Sequence, residues 1–257
     1  MALPDAFDAL YRAFSGYGRS AQIDACPCCV DKLDQDVLTR GPLRGLDADE
    51  LGKYAFKAMT TWGDAADYKH FLPRILELAI GGGRSSWPGL ELEIIAGKLQ
   101  MAGVQSWPAP ELAALRECFF AWWQAVLARD PEDGAWRASD VLPAIACVID
   151  DISPFLDAWR ADRSLTGALQ LAEFIQANWA DIANRGHLHG LWRVAEGREA
   201  VARWLVDPER KQMLEHAFER HLDKPAANRL AEAVDAWQWM TPAAPAAAGT
   251  PRRSDLP

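Results

Sequence analysis

Apolar positions along the chain recur at intervals of three and four, so the pattern predicts helices almost throughout. It is clearest over 110–128, where Leu112, Leu115, Phe119, Trp122 and Val126 form one stripe, widened by Phe120, Trp123 and Leu127. A stripe that wide belongs to a helix buried on most sides. Residues 164–183 repeat the pattern with Ala168, Ala172, Ile175, Trp179 and Ile182 facing inward, and Asn184-Arg185-Gly186 supplies a stop.

Start signals agree with this reading. Asp47-Ala48-Asp49-Glu50 has the form of a capping box, opening a helix with Leu51, Tyr54, Ala55, Ala58 and Met59 inward. Asp64 caps the next helix, which ends at the Gly81-Gly82-Gly83 run, with a kink or a break into two helices expected at Pro73. Ser153-Pro154 and Asp207-Pro208 each place proline in a first turn behind a capping side chain. Further helices are expected near 5–14, 29–38, 89–101, 140–150, 197–206, 209–221 and 226–239. No segment combines period-two alternation with a hairpin turn. The fold class is therefore all-α, about a dozen helices in an irregular bundle or a short HEAT-like superhelical stack. One domain over 1–240 is expected, with a hinge near 131–139 and a disordered Pro/Ala-rich tail over 241–257.

Composition narrows the function. Half of the 257 residues are apolar and a quarter charged, an ordinary globular balance. The formal net charge of −9, with no run of Lys or Arg, argues against nucleic acid, since phosphate affinity rests on basic side chains displacing counterions. No stretch of about 18 uninterrupted apolar residues is present, so no membrane span is expected. The first residues carry Asp5 and Asp8 and no apolar run, unlike an export leader, and a cytoplasmic location is expected. Twelve tryptophans supply large rigid contact surfaces. An acidic, tryptophan-bearing helical surface fits an adaptor, immunity or regulatory protein that binds a protein partner, a basic one suiting the charge.

Candidate chemistry gathers in Cys26-Pro27-Cys28-Cys29. Cys26 and Cys29 have the spacing that lets two thiolates share one zinc ion, and the same spacing serves a redox pair. Cys28 and Cys29 fall where a helix is expected to begin, and its dipole would favour thiolate. The glutaredoxin form of this motif follows a buried strand, which is absent here. Cys118 and Cys147 lie in apolar helical stretches and read as core residues. A zinc or thiol-redox protein centred on Cys26, Cys28 and Cys29 is thus the rival to the partner-binding reading, with His70 a further candidate ligand.

Asp64, Asp67 and His70 drift around one side of a helix and are candidates to converge on a ligand or metal. The plainer alternative is that Asp64 caps, Asp67 suits the helix N-terminus and His70 lies on a polar face. The His187-Leu188-His189 pair lacks an acid at ligand spacing, and His216 and His221 are five apart rather than the four of a zinc-protease helix. Gly81 to Ser86 is glycine-rich but lacks the Gly-Lys-Ser/Thr ending of a phosphate loop. The adjacent Asp150 and Asp151 do not make a facing acid and base. No catalytic motif is found.

Cys26-Pro27-Cys28-Cys29, Tyr54-Ala55-Phe56-Lys57-Ala58, Thr61-Trp62-Gly63-Asp64 and the run from Lys69 to Leu78 resemble strings in a family of bacterial proteins of similar length. Trp107-Pro108, Trp122 and the segment from Asp150 to Phe155 fit the same pattern. The resemblance covers most of the chain up to about residue 180. It implies a bacterial origin and an intact domain; the family brings no known activity and so assigns no functional residue.

Overall fold

A computed structural model describes residues 1–20, 22–82, 88–133, 136–185, 188 and 195–240, with backbone alone at 195 and 196. Its elements are α1 (Leu3–Ala13), α2 (Lys32–Thr39), α3 (Ala48–Lys57), α4 (Ala65–Gly81), α5 (Leu92–Met101), α6 (Ala109–Leu127), α7 (Ala138–Ala146), α8 (Ser153–Ala161), α9 (Leu165–Arg185), α10 (Ala195–Val206), α11 (Pro208–Arg220) and α12 (Ala226–Met240). Among the described residues the only β pairing is two isolated bridges that meet at Trp62. The chain is an all-α bundle. Its helices run from 8 to 21 residues.

Local signals explain most helix starts. Capping boxes open α2 at Asp31, α3 at Asp47 and α4 at Asp64, each side chain accepting a backbone N–H in the first turn. Asp207 accepts the N–H of Glu209 ahead of Pro208, as expected. At α8 the expectation needs correction: Ser153 makes no cap bond, and Asp151 accepts the Ser153 N–H at 3.0 Å instead. Pro73 does not divide α4, which runs unbroken from Ala65 to Gly81 with the proline buried.

α1 packs along α6, and α9 along α12, with α7 and α8 joining the two groups. One apolar cluster reaches from Ala6 to Met240. Leu115, Phe119, Trp122, Trp123, Val126 and Leu127 of α6 are all buried, as their spacing requires. α9 departs from its expected face: Trp179 is exposed and Asn178 is buried in its place, its amide donating to the Phe174 carbonyl at 2.9 Å.

Most tryptophans are core residues. Trp62, Trp107, Trp122, Trp123, Trp136, Trp159 and Trp237 are buried, and only Trp179 and Trp239 are exposed among those described. Among the described residues the tryptophan-bearing surface thus rests on these two, with Trp204 part-buried. Indole N–H groups find carbonyls inside: Trp107 donates to Ala102, Trp123 to Phe155, Trp136 to Ile80, Trp159 to Gly167 and Trp237 to Leu205.

The α6–α7 connection, read above as a hinge, is described except at 134 and 135. Asp130 at its start pairs with Arg229 of α12 at 2.9 Å, and the Ala138 N–H donates to Gln170 of α9 at 2.8 Å. His187 and His189, the glycine-rich run beyond Gly82 and the 241–257 tail lie outside the described residues. No described helix is long and apolar enough to cross a membrane.

Candidate metal centre

The Cys26–Cys29 segment is a tight turn in the connection between α1 and α2. Its backbone closes on itself, the Cys26 carbonyl accepting the N–H groups of both Cys29 (2.9 Å) and Val30 (3.0 Å). Pro27, with its φ held by the ring, suits the first corner of such a turn. The cysteines therefore precede α2, which begins at Lys32 behind its Asp31 cap, and this corrects the expectation that they start the helix. A helix dipole is not what acts on them.

The turn is anchored on the α3–α4 connection. The Cys26 N–H donates to Thr61 at 2.9 Å, and the Gly63 N–H donates to Asp24 at 2.6 Å. Lys57, the last residue of α3, donates its ammonium to the Cys29 carbonyl. From the other side Lys98 of α5 donates to the Ala58 carbonyl at 2.6 Å. Lys98 is buried, and that burial holds its ammonium below the ordinary lysine range. Gly63 permits the close fit: it sits at φ +69°, and a Cβ there would lie 2.8 Å from Ile23 Cγ2.

This scaffold points three sulfur atoms at one place. Cys26 and Cys28 Sγ are 2.9 Å apart, Cys28 and Cys29 Sγ 3.6 Å, and all three lie within 4.8 Å of one another. A tetrahedral zinc with bonds of about 2.3 Å asks for sulfur separations of roughly 3.8 Å, a little wider than the two pairs just given and within the 4.8 Å limit that all three obey. Cys28 is exposed and the other two are half-buried, so the open side of the cluster faces solvent. Hydrogen bonding from Cys28 lowers Cys26 below the usual thiol range, while the same contact raises Cys28 to about 11.

The remaining candidates stand elsewhere. His70 is outside the sulfur group; its Nδ1 donates to the Tyr17 carbonyl at 2.8 Å and its ring lies edge-on to Phe71. Asp64 accepts the N–H groups of Ala66 and Asp67, and Asp67 accepts from the Asp64 N–H and from the Ser20 hydroxyl. Both carboxylates therefore act in the start of α4. Cys118 and Cys147 are buried in the core, and burial pushes the Cys118 thiol up to about 12.

Two charged groupings were missed in the sequence, the first because its members are distant along the chain. Lys69 and Glu111 form a nearly buried ion pair at 2.7 Å, with the Tyr17 hydroxyl donating to the same carboxylate at 2.6 Å. Arg210 is buried beside Trp204, its guanidinium 4.6 Å from the ring centroid.

Comparison with known protein families, with curated proteins and with solved structures finds no match.

Proposed function

We propose that this protein binds zinc through Cys26, Cys28 and Cys29, leaving one coordination position open to solvent. The observation that carries the reading is the convergence of three sulfur atoms within 4.8 Å on a turn pinned to the end of α3 and to the α3–α4 connection. Thiolate sulfur is a soft donor suited to zinc, and three protein ligands with an open fourth position make a site accessible to an external ligand. Binding releases the remaining thiol protons to solvent, including that of Cys28, so affinity falls with falling pH. The adaptor reading loses support, since most described tryptophans fill the core.

Metal analysis and thiol titration of the purified protein test the proposal. It expects one zinc per chain and three thiols that react only after a chelator removes the metal. Cys118 and Cys147 stay unreactive in the folded protein because they are buried. Cys28→Ser should lower zinc occupancy without changing the helical content. Metal-free protein with three freely reactive thiols would refute zinc binding. A Cys26–Cys28 disulfide formed under mild oxidant, with no metal held by the reduced protein, would favour thiol-redox work.

A further inference from the structure

Away from the thiol turn, α8, α9 and α11 enclose a cleft of about 610 Å³ whose charge runs against that of the chain. Four arginines line it, Arg160, Arg163, Arg210 and Arg220. Three acids line it as well, and each has local work. Asp157 pairs with Arg160 at 2.7 Å, Glu209 pairs with Arg210, and Asp162 accepts the Ser164 N–H at 2.7 Å ahead of α9. Among the described residues Arg163 and Arg220 pair with no carboxylate. They are nonetheless held together: Arg163 donates to the Arg160 carbonyl at 2.7 Å, and Arg220 to the Arg163 carbonyl at 3.3 Å. Each of these two side chains keeps further N–H donors beyond its carbonyl bonds, with no described carboxylate to take them.

Arg210 adds an independent observation. Its side chain is 1% exposed, and its Nε and Nη1 have no hydrogen-bond partner. A buried cation with unsatisfied donors is costly, so a protein that keeps one ordinarily has something for it to hold. Burial lowers its affinity for its proton, the nearby Glu209 and Asp207 oppose that, and Arg160 reinforces it. The walls also offer apolar surface from Ala161, Ala168 and Met213. The volume is that of a small-molecule site, and its lining is mostly charged and polar with a small apolar share.

We infer that this cleft binds a small phosphorylated molecule, its phosphate held by Arg163 and Arg220 with Arg210 behind them and its organic part against Met213. A phosphate offers more acceptor oxygens and more charge than a carboxylate, which suits several converging guanidinium forks. The cleft shares no residue with the cysteine turn, so the two readings stand or fall separately.

Isothermal titration with inorganic phosphate and with phenyl phosphate, at constant ionic strength and with acetate as the comparison anion, tests the inference. Saturable binding of one phosphate per chain is expected, tighter for phenyl phosphate. Arg163→Gln and Arg220→Gln should each weaken it about tenfold, the loss usual for one hydrogen bond to a charged group. Both side chains are exposed, so neither change threatens the fold, and a circular dichroism spectrum checks that. No saturable heat with either phosphate would overturn the inference. So would undiminished affinity in the Arg163→Gln/Arg220→Gln double variant, or acetate binding as tightly as phosphate.

Discussion

Lys69 shows how much a single residue can owe to segments far from it in sequence. Its ammonium lies 2.7 Å from Glu111 of α6, donates to the Tyr17 hydroxyl at 2.9 Å, and stands 4.2 Å from the centroid of the Trp107 ring. Burial alone would lower the ammonium, but Glu111 and Tyr17 hold it above its ordinary value. Stabilisation from that shift is therefore present at neutral pH and is lost only as pH rises through the raised lysine value. Glu111→Leu strands the buried cation and should cost about 3–5 kcal/mol in denaturant unfolding. A loss below about 1 kcal/mol would mean that the pair is solvated, contrary to its burial. None of this was legible beforehand, because Tyr17, Lys69 and Glu111 share no local pattern. Asp64 and Asp67 were legible as caps for the opposite reason: the backbone groups they bond at the start of α4 lie within three positions.

At the scale of elements, helix existence followed from apolar spacing, and the boundaries moved by only a few residues. What spacing could not give was the choice between neighbouring faces. In α9 both Asn178 and Trp179 are near the inward side; the polar residue goes in because its amide finds a carbonyl within its own helix. Trp159 shows the converse, an aromatic residue that joins four helices. It stacks on Trp204 of α10 with centroids 5.1 Å apart, meets Trp123 of α6 and Phe174 of α9 edge-on, and donates to the Gly167 carbonyl at 3.0 Å. Trp159→Ala should destabilise the protein by about 3–5 kcal/mol, read as a lower denaturant midpoint, through the cavity and the lost contacts. An unchanged midpoint would contradict the packing of α8 against α9 and α10.

For the whole molecule, the bundle matters as a platform. α3, α4 and α5 fix the connections on which the cysteine turn rests, through Lys57, Gly63 and Lys98. The cysteines themselves were legible from their spacing, whereas the absence of His70 from their group was not. That histidine is turned towards Tyr17 by the path of the chain after α1. In the proposed site three sulfurs from one turn hold a zinc ion whose fourth position is left to a lighter ligand. X-ray absorption at the zinc edge measures this directly. Three sulfur neighbours at about 2.3 Å and one oxygen or nitrogen at about 2.0–2.2 Å are expected, with one sulfur lost in Cys28→Ser. A shell of oxygen and nitrogen alone, or one that Cys28→Ser leaves unchanged, would contradict it.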